Sequence, residues 1–164
     1  MADHQFSEKE LLAKARAYCA RQERCQQEVR DKSYAWGAHR EQVEQVIAQL
    51  IGEGFLNEAR FAEHYAVSKS RQKGWGRRKI EQALKAKSIS ERCIASGLAA
   101  IDESEEDQQL RIAVAKRWER AKDEVPFIRK GRVVRYFLGK GFSRERIEVA
   151  LEAMGSQTLR RRHS

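Results

Sequence analysis

Residues 80–98 read IEQALKAKSISERCIASGL, and their apolar pattern stands twice more in the chain. Residues 29–47 read VRDKSYAWGAHREQVEQVI, and residues 133–151 read VVRYFLGKGFSRERIEVAL. Val29, Ala38, Val43 and Ile47 precede Ile80, Ile89, Ile94 and Leu98 by 51 residues; Val133, Phe142, Ile147 and Leu151 follow after a further 53. Toward the end of each stretch apolar residues recur every three or four positions, the period of a helix buried on one face. Ser90 and Ser143 hold equivalent places where a hydroxyl can cap a helix start. Identity between the copies is low, so the apolar positions carry the match.

Working outward, a longer amphipathic helix precedes each of these pairs, at about 8–21, 58–72 and 105–121. Ser7 with Glu10 forms a capping box ahead of Leu11, Leu12, Ala15, Tyr18 and Cys19. Asn57 can cap the helix that carries Phe61, Tyr65 and Ala66, and Ser104 with Asp107 reads as another capping box. Val43, Val46, Ile47, Leu50 and Ile51 form a stripe that Gly52 is expected to stop. Pro126, the single proline, suits the first turn of a helix, where its missing N–H has no partner to lose. No stretch alternates as a strand would. The expected fold is all-α: three tandem three-helix repeats forming an elongated, curved array. The expected repeats are 7–53, 57–101 and 104–154, followed by a flexible basic tail at 155–164. A unit of three short helices buries too little alone, and stacked neighbours share a core.

The 164 residues are unusually charged, at 35%, with a mean hydropathy of −0.76. Lys and Arg number 33 against 24 Asp and Glu, a net charge of +9. That balance favours contact with polyanions or with an acidic partner surface. Three cysteines, Cys19, Cys25 and Cys93, without a CxxC pattern give no disulfide framework. Met1 to Phe6 has no apolar signal core, and no apolar run is long enough to span a bilayer. These features predict a cytoplasmic monomer with reduced thiols and no membrane contact.

The positive charge is clustered. Lys69 to Arg92 holds nine basic residues and two acids, a net of +7, and Arg129 to Arg146 holds seven and one, a net of +6. Arg160, Arg161 and Arg162 extend the charge into the tail, while Asp102 to Glu124 is net −3. Both basic blocks lie around the start of the second helix of their repeats. A helix start attracts anions through its free N–H groups and its dipole, so Arg77, Arg78 and Lys79 would suit phosphates or carboxylates. The wider candidate set is Lys69, Arg71, Lys73, Trp75, Arg129, Lys130, Arg132, Arg135 and Lys140. Trp75 has two readings: a stacking platform for a base, or a ring packed in the core.

Catalytic and cofactor signatures are missing. Gly139-Lys140-Gly141 lacks the spacing and the following hydroxyl of a P-loop, and Gly74-Trp75-Gly76 lacks the third glycine of a dinucleotide fingerprint. His4, His39, His64 and His163 do not combine with the cysteines at metal-ligand spacing. Nothing pairs a nucleophile with a base and an orienting group. The expectation is a non-enzyme without cofactors.

The stretch from Gly54 to Glu63 (GFLNEARFAE), then Ser70 to Ile80 (SRQKGWGRRKI), then Leu84, resembles the signature of the RecX family of bacterial recombination regulators. Leu138 to Ser143 (LGKGFS) is similar to that family's later Gly-Phe turn. Asn57-Glu58 stands where the family often has two aspartates, Ser88 stands where it often has glycine, and the first repeat has Gly37-Ala38 in place of Gly-Phe. The resemblance implies three helical repeats and adds Arg60, in the Arg-Phe-Ala run, to the candidate partner-binding residues. It implies binding to the RecA recombinase and its filament on single-stranded DNA, with inhibition of strand exchange, ATP hydrolysis and co-protease activity in DNA repair and the SOS response. Direct contact with single-stranded DNA is left open by it. The alternative function is a helical DNA-binding module or helix-turn-helix regulator acting through its basic faces, with Gly76 to Ala86 as the recognition helix.

Overall fold

The computed structural model describes residues 6–162, apart from the side chains of 157–159 and 161–162. The reading of Met1–Gln5 and the residue His163 lie outside the described residues. Nine helices and no strand are present among those described. They are α1 (Glu8–Arg21), α2 (Gln26–Ala35), α3 (Arg40–Gly52), α4 (Glu58–Lys73), α5 (Arg77–Ala86), α6 (Glu91–Ala99), α7 (Glu103–Arg120), α8 (Pro126–Gly139) and α9 (Arg144–Arg162). No helix among them is long and apolar enough to cross a membrane.

The chain divides into two compact units, and the division passes through the middle helices. One unit comprises Met1–His64 with Leu84–Gly97, and the other comprises Tyr65–Ala83 with Leu98–Ser164. In the first unit Leu11, Ala15 and Cys19 of α1 pack with Val29 of α2 and with Val43, Val46, Ile47 and Leu50 of α3. Trp36 meets Tyr18 edge-on at 6.1 Å, and the Arg24 guanidinium lies 3.9 Å from the centre of the Tyr18 ring. Gly97 sits so close to Ala62 that a Cβ would stand 2.7 Å from the Ala62 carbonyl oxygen. In the second unit Leu110 and Val114 of α7 pack with Val133, Val134 and Phe137 of α8, with Phe142, and with Ile147 and Ala150 of α9. Each fully buried Leu or Ile in these cores contributes about 2 kcal/mol through apolar burial.

One backbone device ends the second helix of every triple. The N–H groups of Ala38, Ile89 and Phe142 donate to the carbonyls of Ser33, Leu84 and Phe137, at 3.1, 3.2 and 3.1 Å. This is the six-to-one bond of a Schellman motif, which needs a left-handed residue just before the donor. That residue is Gly37 (φ 92°), Ser88 (φ 61°) or Gly141 (φ 99°). Ser88, standing where the family often has glycine, therefore takes the same conformation at a cost. The helix that follows is capped by Ser90 and Ser143, whose hydroxyls accept from the N–H groups of Cys93 and Arg146, both at 3.3 Å. In the first triple the direction is reversed, since Gln42 Oε1 accepts from the His39 N–H at 3.0 Å.

Three local details differ from the sequence-based expectation. Gly52 is the last residue of α3, but the left-handed residue that turns the chain is Gly54 (φ 82°), with the Phe55 N–H bonded to the Leu50 carbonyl at 2.9 Å. The cap of α7 is Asp102 rather than Ser104: its Oδ1 accepts from the Glu105 N–H at 2.9 Å. A carboxylate there satisfies an orphan donor and complements the helix dipole, so the helix begins earlier. Residues 155–162 continue α9 instead of leaving it, because no proline interrupts the run and one glycine is too weak a breaker.

Cys19, Cys25 and Cys93 are free thiols. Burial pushes the Cys19 thiol up, and pushes Cys25 up to about 11. Alkylation by iodoacetamide at pH 8, followed by peptide mass spectrometry, is expected to label the half-buried Cys93 first and Cys25 last. Ser88→Gly should raise the melting temperature by about 2 °C, by relieving a left-handed serine. Gly141→Ala should lower stability by about 3 kcal/mol in urea unfolding, since it adds both strain and a clash.

Candidate functional site

The second unit gathers most of the sequence's candidate residues, and it sorts them into two kinds. The sorting begins where α5 starts. The Gly76 N–H donates to the Lys140 carbonyl at 2.7 Å, and the Arg78 N–H donates to the Gly141 carbonyl at 3.1 Å. A Cβ on Gly76 would stand 2.3 Å from the Gly141 carbonyl carbon, and a Cβ on Gly141 would stand 2.5 Å from the Lys79 nitrogen. Two glycines thus let the α8–α9 turn press its carbonyl oxygens onto the helix start. The N–H groups of Gly76 and Arg78, expected to attract a phosphate, are occupied by the protein itself.

Arg77 is likewise turned inward. Its Nε donates to Glu106 Oε1 at 3.2 Å, and its terminal nitrogens donate to the Leu98 and Ile101 carbonyls at 3.0 and 3.5 Å. Glu106 is 3% exposed; its Oε1 also accepts from Arg146, which bonds Asp107 as well. Burial alone would lower the Arg146 pKa, but the hydrogen bonds to Asp107 and Glu106 outweigh it and the net shift is upward. A buried carboxylate held by two guanidinium groups is costly to break, because losing one partner strands a charge away from water. Arg129 is structural in the same sense. Its Nε donates to the Trp118 carbonyl at 2.9 Å, and its guanidinium lies 4.1 Å from the centre of the Trp118 ring.

Other candidates stay at the surface. Lys69 and Lys79 place their ammonium groups 5.0 and 4.6 Å from the centre of the Trp75 ring, and Tyr65 meets that ring edge-on at 6.5 Å. Trp75 is half-buried, a ring flanked by cations rather than one sealed in a core. Arg71 pairs with Glu105 through two hydrogen bonds of 3.0 and 3.1 Å, and that pairing raises the Arg71 pKa. Lys130 pairs with Glu148 and Arg132 with Glu124, each at 3.1 Å. Such exposed pairs stabilise little and exchange partners readily. Lys73, Arg78 and Arg135 are exposed. Lys140 donates to the Lys73 carbonyl at 3.3 Å, with its ammonium 5.8 Å from the centre of the Tyr136 ring. Arg60 belongs to the first unit. It bonds Glu23 at 2.7 Å and the Gly54 and Phe55 carbonyls at 3.0 and 3.3 Å, closing the turn into α4.

The grooves beside α7 add residues absent from the sequence-based set. One depression is lined by Lys73, Lys116, Arg117, Arg120, Tyr136 and Lys140, among others. A larger one, of about 720 Å³, shares Arg117, Arg120 and Tyr136 and adds Arg132 and Arg135, with Asp123 and Glu124 as its two acids. The two form one basic groove between α7 and α8. Arg117 stacks 3.7 Å from the centre of the Tyr136 ring and anchors the shared wall. Net charge along the chain hides this face: α7 carries Glu103, Glu105 and Glu106 in its first turn, and Arg117 and Arg120 flank Glu119 in its last. Among the described residues, no three His, Cys, Asp or Glu side chains converge as metal ligands would.

Two family models match the chain: the second three-helix domain of RecX at residues 57–98 and the third at residues 105–151, together more than half of its length. The chain belongs to the RecX family. The regulatory protein RecX of Cronobacter sakazakii is 34% identical over 109 residues, covering 66% of this chain and 64% of that protein. That of Yersinia pseudotuberculosis is 37% identical over 107 residues, covering 65% of this chain and 57% of that protein. The chain thus spans about three-fifths of the length of the curated relatives it matches. The crystal structure of RecX from Lactobacillus salivarius superposes with a TM-score of 0.81 at 20% identity, over 90% of this chain and 96% of that one. At that identity the likeness shows the RecX fold, an all-α array of three-helix domains.

The two kinds of cation separate on substitution. Glu106→Ala is expected to cost about 3 kcal/mol in urea unfolding. Arg77→Ala should lower stability measurably, whereas Arg78→Ala should change it by less than about 0.5 kcal/mol.

Proposed function

We propose that this chain is a non-catalytic regulator that binds the RecA recombinase filament on single-stranded DNA and lowers its recombinase, ATPase and co-protease activities. In this reading residues 7–53, 57–101 and 104–154 are its three modules. The observation that carries it is the groove between α7 and α8, where Lys73, Lys116, Arg120, Arg135 and Lys140 face solvent or half-face it around Tyr136. Membership of a family of regulatory proteins supports the same reading. A row of cations beside an aromatic ring suits the phosphates and unstacked bases of a single strand, or carboxylates on a protein filament. The surface pairs Arg71–Glu105, Lys130–Glu148 and Arg132–Glu124 can release their cations to such a partner at little cost.

The recognition-helix alternative is less well supported. A helix-turn-helix reader contacts base edges with the first turn of its second helix. In α5 that turn is packed on the Lys140–Gly141 carbonyls, and Arg77 is turned inward.

The reading is tested by titrating the chain into RecA with single-stranded DNA and following ATP hydrolysis. Inhibition at a small molar fraction of RecA is expected, and none at stoichiometric protein would refute it. Replacing Lys116, Arg120 and Arg135 together by Ala should raise the half-inhibitory concentration about tenfold with helicity unchanged. If single strands are bound directly, the slope of log K against log salt should fall by about 2.

A further inference from the structure

Between α8 and α9 lies a second, more apolar groove, which reaches the buried Val134 and shares Arg132 and Arg135 with the basic groove. Pro126 starts the helix, and its first turn projects Phe127 and Ile128 into water, at 89% and 46% exposure. These residues line a groove of about 780 Å³ with Val134 and Leu138, closed on the α9 side by Arg144 and Glu148. An almost fully exposed phenylalanine at the mouth of an apolar groove marks a surface built to be covered. The middle of the groove is Gly131, whose absent Cβ would meet nothing within 4 Å. A glycine inside an exposed helix costs about 1 kcal/mol relative to alanine. Here it also leaves the α8 backbone open to close approach.

The rim selects the occupant. Lys130, Arg132, Arg135 and Arg144 surround the groove, and Glu148 is the one acid among its lining residues. A second copy of this chain, with the same +9, would bring like charge to the contact. The groove's lining runs along α8 from Phe127 to Leu138, about 16 Å of helix. That shape fits a rod better than a flat lipid surface.

We propose that the α8–α9 groove is a docking site for an acidic amphipathic helix of a protein partner. The helix would lay an apolar stripe along Phe127, Ile128 and Leu138, cross closest at Gly131, and set flanking carboxylates against Arg135 and Arg144. Its apolar floor, Phe127, Ile128 and Leu138, takes no part in the RecA reading, and Arg135 is common to both.

The test uses fluorescence anisotropy with the full chain and two labelled helical peptides of roughly four turns. One carries Leu at i, i+4, i+7 and i+11 with Glu on both flanks; the other has the same residues in scrambled order. The striped peptide is expected to bind about tenfold more tightly than its isomer. Phe127→Glu should weaken it about tenfold, and so should Gly131→Met, which fills the groove while favouring helix. Gly131→Met should keep or raise the melting temperature, so its loss of binding cannot come from misfolding. Equal binding of the two peptides would overturn the proposal in favour of charge attraction alone. So would flotation on phosphatidylglycerol vesicles that Phe127→Glu abolishes, or a dimer in sedimentation that the same change dissolves.

Discussion

The second unit depends on a contact that admits no side chain. Gly76 and Gly141 bring two backbones together so closely that a Cβ on either would fall within about van der Waals overlap of the other segment. The carbonyls of Lys140 and Gly141 then satisfy donors at the start of α5, a place that would otherwise be left to water or a ligand. Because Gly141 is also the left-handed residue that ends α8, one position both turns the chain and seals the neighbouring helix. Glu106 lies beside this contact and draws Arg77 and Arg146 inward.

The consequence is a division of labour among cations that look alike in the sequence. Arg77, Arg129 and Arg146 are held by buried or half-buried acceptors, where losing a partner is costly. Lys73, Lys116, Arg120 and Arg135 are exposed, and Arg71, Lys130 and Arg132 have only surface partners. For these the net gain from pairing is small, so their charge stays available. The basic groove is the residue of this sorting, and it draws on α7, a helix whose overall charge conceals its basic end.

The first triple departs most from the family pattern, yet it keeps the backbone device of the other two. Gly37 is left-handed as Gly141 is, and the Ala38 N–H reaches back to Ser33 as Phe142 reaches to Phe137. What changes is the cap: Gln42 accepts from His39, where Ser90 and Ser143 accept from the residues that follow them. Ser88 shows how much variation the device tolerates, since a serine can occupy the left-handed region for about 1 kcal/mol or slightly more.

The sequence by itself determined the helices, most of their caps, the repeated turns and the family. Each of these depends on residues within about five positions of one another, or on a period that the apolar residues display directly. Ser7, Asn57, Ser90, Pro126 and Ser143 act where their spacing predicts. Only the tertiary structure decided which cations face outward, that the start of α5 is closed, that Trp75 lies among lysines, and that α4, α5 and α6 are each shared between two units. The deciding partners come from distant parts of the chain: Glu106 for Arg77, Lys140 and Gly141 for Gly76 and Arg78, Tyr136 for Arg117. Charge along a sequence counts ionic groups, but burial and partners, which arise only on packing, set what each one does.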